Sequence, residues 1–361
     1  MATDSRHNIF SLIMKNKTIC IFGPNIREGG GKVLFIHFIK HFIEKHPNKK
    51  IKIFCNKEIL KELLILKVDA DYIEINNFLT HIFYLFKKID NCLYFGNLPP
   101  IRKGENTYLY FHNIFLTNIV TSEFNLKRRI QFSVIKFYIK VFKKNITTIF
   151  CQSDLVKNSF KNTFNTNNVK VLPFYKCFPK SHTNNKIYDF CYVSNAEPHK
   201  NHILLLEALK ILASKNIFPS IVFTVEKDKI YNQREKFRKT LIKQIKYYKD
   251  KYSLKITNLG KVNIDTVQRI YRESKCIIFP SKNESFGLPL LEAQEMDIDI
   301  LPIDLPYVRE VINPEVTFKD DKKDCAFKMN NYIKNYHYEN NRNFVVLKRN
   351  KINELINYLL N

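Results

Sequence analysis

The stretch that decides the fold is CIIFPSKNESFGLPLLEA, residues 276–293. It begins with CIIFPS, a short apolar run of the kind that is typical of a buried strand. Pro289 fits the first helical position, where the N–H that proline lacks would have no partner. The stretch is therefore predicted to be a strand, a loop and a helix. Glu284 falls in the loop, and Glu292 lies about one turn inside the helix.

This arrangement predicts a binding site for an anion that also carries hydroxyl groups. At the helix start, the backbone amides of Phe286, Gly287 and Leu288 lack partners within the helix and carry partial positive charge. Such amides bind anions such as phosphate, and a glycine lets the backbone approach the ligand closely. The two flanking carboxylates, Glu284 and Glu292, can accept hydrogen bonds from hydroxyl groups. The predicted ligand carries both phosphates and sugars.

The alternation of strand and helix extends over most of the chain. Strand-like runs such as TICIFG, KIKIFC and TTIFCQ alternate with helical patterns in the first half, and FCYVS, SIVFTV and LKITNLG continue the alternation in the second. This pattern is typical of βαβ units around a parallel sheet. Ligands bind such sheets at the carboxyl ends of the strands. The sequence therefore predicts an α/β protein with two doubly wound domains.

The domain boundaries follow from where the periodicity stops. A polar segment at 174–187 interrupts the pattern and is predicted to be the connection between the domains. We therefore predict an N-terminal Rossmann-like domain over 1–176 and a C-terminal domain over 185–340. The segment 341–361 is predicted to be an amphipathic C-terminal helix, with the N-terminal domain as the candidate surface on which it packs.

Composition narrows the classes of partner. The 59 Lys and Arg against 34 Asp and Glu give a formal charge of +25, which favours nucleic acid, acidic lipid or phosphorylated small molecules. The eight cysteines include no CxxC pair and are predicted to be buried free thiols in a reducing compartment. The first residues lack the features of a signal peptide, and no apolar run approaches the roughly 18 residues that span a bilayer. A cytoplasmic protein is expected.

The motif around Glu284 and Glu292 resembles the donor-site signature of glycosyltransferase family 4, the group 1 glycosyltransferases. These are retaining enzymes of GT-B fold, in which two Rossmann-like doubly wound domains face each other across a cleft. The resemblance implies that Glu284 lies beside the donor-sugar hydroxyls and that Glu292 holds the ribose hydroxyls. It implies that the sugar and the diphosphate are bound by the backbone of Ser285, Phe286, Gly287 and Leu288.

A second segment, YVSNAEPHKNHILLLEAL at 192–209, resembles the first strand and helix of that family's donor-binding domain. The family usually has an arginine and a lysine there, which neutralise the diphosphate. Lys200 stands at the position of the lysine, whereas Asn195 stands where arginine is usual. His199 and Arg309 are the candidates to supply the missing charge. The turn from Gly260 to Val262 is similar to the one that lines the nucleobase pocket.

Two further motifs lie in the N-terminal, acceptor-side half. IREGGGKVLFIHFIK at 26–40 resembles the family's glycine-rich loop, which implies that Gly30 and Gly31 approach the diphosphate and the reacting sugar. YLYFHN puts His112 at the end of a strand, where the family has a histidine that faces the donor sugar. The resemblance implies no cofactor and no metal, because a cation such as Lys200 stabilises the departing diphosphate.

The basic segment KRRIQFSVIKFYIKVFKK, 127–144, leaves two structural hypotheses open. At about 100° per residue its cations share one stripe, and the remaining face is broad and apolar. The segment is either a helix that packs on the core with a solvated stripe, or a helix that lies in an anionic membrane surface. The cations of the stripe are Arg129, Lys136, Lys140, Lys143 and Lys144.

The sequence thus favours a hexosyltransferase that uses a nucleotide-diphosphate sugar, with His112 and Glu284 as catalytic residues. The expected acceptor is a glycan or a lipid-linked saccharide in surface polysaccharide biosynthesis, at the inner face of the plasma membrane. Two alternatives stay open: a sugar phosphorylase or epimerase of GT-B fold, and a basic protein that binds nucleic acid. The second lacks any recognisable nucleic-acid-binding motif, so nucleic acid is not expected as a partner.

Overall fold

The computed structural model divides the chain into two compact units. The first contains residues up to Lys176 together with Arg349–Asn361, and the second contains Cys177–Lys348. The predicted connection at 174–187 includes the boundary, and its residues 179–184 lie outside the described part of the chain. The structure describes residues 18–27, 29–117, 126–178, 185–226, 233–336 and 343–360.

The first unit is built on a parallel sheet with the strand order β3-β2-β1-β4-β5-β6-β7. Its strands are β1 (Ile19–Phe22), β2 (Ile51–Cys55), β3 (Asp71–Glu74), β4 (Cys92–Tyr94), β5 (Thr107–Phe111), β6 (Thr148–Cys151) and β7 (Val169–Val171). Its helices are α1 (Gly29–Lys45), α2 (Lys57–Ile65), α3 (Phe78–Phe86), α4 (Leu126–Phe142) and α5 (Asp154–Phe164).

The second unit has a parallel sheet with the strand order β10-β9-β8-β11-β12, and β13 pairs with β14 beside it. Its strands are β8 (Tyr188–Tyr192), β9 (Ile221–Phe223), β10 (Ile256–Asn258), β11 (Ser274–Phe279), β12 (Asp299–Pro302), β13 (Ile312–Pro314) and β14 (Phe344–Val346). Its helices are α6 (His202–Ala213), α7 (Gln233–Lys251), α8 (Ile264–Arg272), α9 (Leu288–Glu295), α10 (Pro306–Val311) and α11 (Lys322–Asn335). The predicted α/β class with parallel sheets is confirmed.

The end of the chain differs from the prediction of one helix over 341–361. Phe344–Val346 forms β14, which pairs antiparallel with β13 in the second unit. Its β-branched residues suit a strand better than a helix. The final helix, α12, spans only Ile352–Leu360 and lies in the first unit. There the Lys351 N–H donates a hydrogen bond to the Pro173 carbonyl at 2.7 Å.

The first sheet has helices on both faces, because connections between parallel strands are right-handed. The chain moves in one direction along the sheet from β1 to β3, so α1 and α2 lie on one face. It moves in the other direction from β3 to β7, so α3, α4 and α5 lie on the opposite face. One core cluster accordingly joins Phe22 of β1 to Leu85 of α3, Ile139 of α4 and Phe160 of α5.

The cysteines follow the prediction of buried free thiols. All are free, and all except Cys177 are buried. Burial raises the pKa of the Cys20 thiol to about 11, which keeps it protonated near neutral pH. Within the ranges that the structure describes, no helix is long and apolar enough to cross a membrane.

Helix α4 has two apolar faces, where the sequence predicted a basic stripe and one broad apolar face. Its inner face buries Ile139 completely, and Phe132, Ile135 and Tyr138 pack partly against the same core cluster. Its outer face exposes five large apolar side chains to solvent. These are Leu126, Ile130, Val134, Phe137 and Val141, with exposed fractions of 71%, 55%, 63%, 69% and 40%.

The two faces of α4 should respond differently to truncation. Ile139→Ala removes a fully buried side chain and should lower the free energy of unfolding by about 2–5 kcal/mol. Val134→Ala is the matched control on the outer face and should change it by about 0.5 kcal/mol or less. Calorimetry of the full chain, with the transition of the first unit followed, measures both. Equal losses in the two variants would contradict this assignment of the faces.

Candidate active site

The loops that carry the predicted donor residues meet where the strand order of the second sheet reverses. Strands β9 and β10 extend from β8 to one side, and β11 and β12 extend to the other. The loops after β8 and β11 therefore diverge at the carboxyl edge of the sheet, where α/β folds bind ligands. Asn195 and Lys200 lie in the first loop and Glu284 in the second, so the structure brings these predicted residues to one place.

Hydrogen bonds fix the two loops against each other. The Lys282 N–H donates to the His199 carbonyl at 2.8 Å, and the Ser281 hydroxyl donates to the same carbonyl at 3.3 Å. Behind them, the Tyr307 hydroxyl donates to the Ser281 carbonyl at 2.5 Å, and the Tyr192 hydroxyl donates to the Lys200 carbonyl at 2.8 Å. The backbone around Lys200 is therefore held in place from both loops.

The central feature of the site is an ion pair between these loops. Lys200 Nζ lies 2.5 Å from Glu284 Oε1, and the two side chains are only 17% and 16% exposed. Burial acts to raise the pKa of Glu284, but the charges of Lys200 and His199 and a hydrogen bond from Lys200 bring it below its ordinary value. Glu284 is therefore an ionised carboxylate at neutral pH, which accepts hydrogen bonds and does not donate a proton.

Helix α9 begins directly after this loop. Gly287 precedes its first residue with φ +80°, a conformation that strongly favours glycine, and a Cβ there would lie 2.9 Å from Leu290 Cδ1. Phe286 is buried beneath the loop, whereas Ser285 and Leu288 are half-buried. Pro289 is the second helical residue, one position later than predicted, and its missing N–H still falls in the unpaired first turn.

Glu292 lies in the second turn of α9 and has a partner that sequence analysis did not find. The Tyr271 hydroxyl, at the end of α8, donates to Glu292 Oε2 at 2.7 Å. Burial, followed by the charge of Glu292, raises the pKa of Tyr271 well above its ordinary value. The tyrosine therefore stays a donor and orients the carboxylate. The amphipathic pattern of α8 marks Tyr271 only as a core residue, so the sequence carried no signal for this role.

The predicted nucleobase turn lies farther along the same edge of the sheet. Gly260 follows β10 with φ +77°, which strongly favours glycine, although a Cβ there would meet no atom within 4 Å. Asn258 exchanges two hydrogen bonds with the backbone of Val225, at 3.0 and 3.1 Å, and so fixes the start of this turn. Val262 is half-buried. In the strand order, β10 is separated from β8 by β9.

The structure distinguishes His199 from Arg309 as the residue that could supply the positive charge missing at Asn195. Asn195 itself is exposed. His199 is buried, and its charge helps to lower the pKa of Glu284, so it belongs to the electrostatics of the ion pair. Arg309 lies on α10, where its Nε is 2.7 Å from Asp304 Oδ1. Arg309 is therefore already engaged with a carboxylate.

In the first unit, the predicted glycines lie against the predicted histidine. Gly31 is in the first turn of α1, and a Cβ on it would lie 3.0 Å from His112 Nε2. The absence of a side chain therefore leaves space beside the imidazole. Gly30 is exposed in the same turn, where the backbone amides lack helical partners. His112 directly follows β5 at the carboxyl edge of the first sheet.

Asn97 positions His112 and was not recognised in the sequence. Its Oδ1 accepts the His112 backbone N–H at 2.8 Å, and its Nδ2 lies 3.4 Å from His112 Nε2. Because Nδ2 is a donor, this pairing favours the neutral ring with its proton on Nδ1. Burial lowers the pKa of His112 to about 4, so the ring is neutral at pH 7. Asn97 adopts φ +66°, a conformation that asparagine tolerates better than most residues.

The comparisons with known proteins show a family likeness that lies mainly in the second unit. The family described as glycosyl transferases group 1 matches residues 176–350. This match lies almost wholly within the second unit and spans just under half of the chain. The chain is also 23% identical to the O-antigen chain mannosyltransferase RfbU of Salmonella typhimurium over 234 residues, which are 60% of this chain. That match spans 63% of the length of RfbU.

Solved structures extend the likeness to both units of the chain. A glycosyltransferase from Rickettsia africae matches with a TM-score of 0.65 and 17% identity, over 96% of this chain and 93% of that one. A mutant of TarM from S. aureus, in complex with fondaparinux, α-GlcNAc-glycerol and UDP, matches with a TM-score of 0.63 and 13% identity. It covers 96% of this chain and 100% of that one. The predicted GT-B fold is confirmed.

The buried histidines predict a loss of stability in mild acid. The pKa of His112 and that of His37 are lowered by burial to about 4, whereas an unfolded histidine titrates near 6.5. Between about pH 6.5 and 4 the unfolded chain therefore binds protons that the folded chain does not, and stability falls as the pH falls. The thermal midpoint of the first unit should decrease over this range. His112→Asn should make that decrease shallower, and an unchanged slope would contradict the burial of a neutral ring.

Proposed function

We propose that the protein is a hexosyltransferase that moves a hexosyl unit from a nucleotide-diphosphate sugar to a glycan or lipid-linked saccharide, with retention at the anomeric carbon. The observation that carries the proposal is the ion pair of Lys200 and Glu284 at the strand-order reversal of the sheet, in the unit that the group 1 glycosyl transferase family matches. Support comes from RfbU, named an O-antigen mannosyltransferase, and from TarM, whose structure contains UDP. Surface polysaccharide biosynthesis is the proposed process: lipopolysaccharide, O-antigen or capsule.

Lys200 is proposed to stabilise the departing diphosphate. In the reaction the bond from the anomeric carbon to the diphosphate breaks, a bond to the acceptor oxygen forms, and the leaving phosphate takes the acceptor proton. Negative charge therefore grows on the diphosphate, and a fixed cation with helix-end amides stabilises it. The ammonium of Lys200 has three N–H donors, so it can hold Glu284 and a phosphate oxygen at once. The amides of Phe286, Gly287 and Leu288 at the start of α9 are the proposed second contact.

The two glutamates are proposed to bind different hydroxyl groups. Glu284 is ionised and half-buried beside Lys200, which suits an acceptor for the donor-sugar hydroxyls. Glu292 is oriented by Tyr271 and is assigned to the ribose hydroxyls. Gly260 and Val262 are assigned to the nucleobase.

The first unit is assigned to the reacting sugar and the acceptor. His112 is neutral at pH 7, so it can exchange hydrogen bonds with sugar hydroxyls without placing a second positive charge beside an oxocarbenium-like sugar. Gly30 and Gly31 are proposed to present backbone amides to the same ligand. A lipid-linked acceptor would bring the protein to the inner face of the plasma membrane, where the basic segment 127–144 would meet anionic lipid.

Binding of nucleotides tests the donor site. One of UDP, GDP and ADP should raise the thermal midpoint of the full chain, because a ligand that binds only the folded state stabilises it. Lys200→Ala and Glu292→Ala should each weaken that binding about tenfold, since each removes a charged hydrogen-bond partner. Lys275→Ala is the matched control, because Lys275 forms a half-buried pair with Asp189 at 2.7 Å and lies at the amino end of β11.

The outcomes of this test separate the candidate functions. Stabilisation that survives EDTA is expected, since Lys200 is proposed to act where other enzymes use a metal. Within the described ranges, no group of three or more His, Cys, Asp and Glu is placed to hold a metal ion. Stabilisation by free phosphate with no preference for a nucleotide would instead support a phosphorylase. Retention on DNA without any response to nucleotides would support a nucleic-acid-binding protein.

A pair of tyrosine variants tests the role of Glu292. Tyr271→Phe removes the hydrogen bond that orients Glu292 and should weaken binding of the preferred nucleotide about tenfold. Tyr332→Phe is the matched control, because Tyr332 is partly buried and also donates to a carboxylate, Asp299 Oδ2, at 2.8 Å. It should cost stability and leave the affinity unchanged. If both variants bind the nucleotide as the parent protein does, Tyr271 has no positioning role.

A further inference from the structure

Helices α3 and α4 of the first unit present large apolar side chains to solvent. We call these residues together the apolar surface. On α3 the exposed fractions reach 75% and 78%, and on α4 they reach 71%, which is far more exposure than core residues show. A monomer rarely exposes so many large apolar residues in one region unless they bind something. The apolar surface consists of Phe78, Leu79, Phe83 and Phe86 on α3, and Leu126, Ile130, Val134, Phe137 and Val141 on α4.

The exposed residues of α4 form one regular stripe. At about 100° per residue they fall within an arc of roughly 80°, repeated every three or four positions along the whole helix. The buried Ile139 lies on the opposite side and anchors the helix to the core. The stripe is therefore a continuous ridge along the helix and not a set of scattered apolar residues.

The two helices present their outer sides in the same direction. Both cover the same face of the sheet, since Leu85 of α3 and Ile139 of α4 belong to one core cluster. One loop also ties their ends together: the Ile101 N–H donates to the Leu85 carbonyl at 2.8 Å, and Asn145 Nδ2 donates to the Ile101 carbonyl at 2.7 Å. The outer sides of α3 and α4 therefore face away from the same side of the first unit.

Cations flank the stripe. Exposed Lys127 lies beside one edge, and exposed Arg129 and Lys140 lie within roughly 60° of the other edge. Next to α3, Lys87 Nζ lies 5.0 Å from the centroid of the Phe83 ring. The segments 78–88 and 126–144 contain no Asp or Glu. The apolar surface is thus bordered only by positive charge from its own helices.

We propose that the apolar surface docks on an anionic lipid bilayer. Its aromatic and aliphatic side chains enter the boundary of the acyl chains, while the flanking cations meet lipid phosphates. A second copy of this chain would fit the apolar residues but would place positive charge against positive charge. The inference rests on the proposed function in one respect, because a lipid-linked acceptor explains why the protein would bind a membrane. It extends the membrane contact from the basic segment 127–144 to helix α3.

The chain contains no tryptophan, so a single introduced tryptophan reports insertion without background. Phe137→Trp places the reporter on the stripe of α4, and Phe83→Trp places it on α3. Ile65→Trp is the matched control, because Ile65 is 79% exposed at the end of α2, on the opposite face of the sheet. With vesicles of phosphatidylcholine and phosphatidylglycerol, emission from the first two reporters should shift to shorter wavelength and be quenched by brominated lipid. Emission from Ile65→Trp should not change.

Partition into the same vesicles measures separately how much the apolar side chains and the flanking cations contribute to membrane binding. The double variant Val134→Ser with Phe137→Ser should lower the partition coefficient at least about tenfold through lost apolar burial. The double variant Arg129→Gln with Lys140→Gln should lower it by a similar factor, and only for vesicles that contain phosphatidylglycerol. These measurements need no nucleotide, so their result does not depend on whether the proposed donor site binds one. The nucleotide-binding test in turn needs no vesicle, so the two proposals can fail independently.

Three results would overturn the proposal. The first is no partition into anionic vesicles, and the second is partition without a spectral shift at Phe137→Trp, which would indicate adsorption by charge alone. The third is a shift that depends on protein concentration and not on lipid, which would assign the apolar surface to contact between two copies of the chain.

Discussion

The candidate donor site depends on one ion pair that is largely shielded from water. Removing a lysine and a glutamate from water costs several kcal/mol for each charge, and their attraction offsets this only if hydrogen bonds fix the geometry. Lys200 and Glu284 meet that condition, because the carbonyls of His199 and Lys200 accept hydrogen bonds from Ser281 and Tyr192. The loops after β8 and β11 are thus held together at the point where the strand order reverses and the two loops diverge. A largely shielded cation that is already oriented needs little reorganisation to stabilise an anion that forms beside it.

Hydrogen bonds from asparagine side chains fix neighbouring loops at the carboxyl edge of the first sheet. Asn56 caps helix α2 with its Oδ1, while its Nδ2 donates to the carbonyls of Pro24 and Ile26 in the loop before α1. Asn97 joins its own loop to the backbone of His112, as described above. A short amide side chain has a donor and an acceptor at a fixed separation, so it can tie one strand-end loop to the next without a longer, more mobile side chain. Rigid loops are what a site built at strand ends requires.

Much of the fold and part of the site could be predicted because their signals are local. The alternation of strands and helices, the helix that begins near Pro289 and the position of Glu284 in a loop all follow from a few neighbouring residues. The roles of Tyr271 and Asn97 could not be predicted, because their partners come from other elements. Likewise, 341–361 was predicted to be a single helix, whereas β14 forms where it can pair with β13. Pairing between strands about 30 residues apart in the chain cannot be predicted from the local pattern of either strand.

The exposed side of α4 shows a related limit, because periodicity identifies apolar faces but not what covers them. Its inner and outer faces are both apolar, and only the packing of Ile139 shows which one belongs to the core. An exposed ridge of this kind promotes association of the chain with itself. The formal charge of +25 opposes that association by repulsion between molecules. In the proposed docking, the same charge would attract the protein to an anionic bilayer, where the ridge would lose its contact with water. Under that proposal the basic composition and the apolar surface have one physical explanation: the charge keeps a protein with an exposed apolar ridge dispersed until the ridge meets lipid.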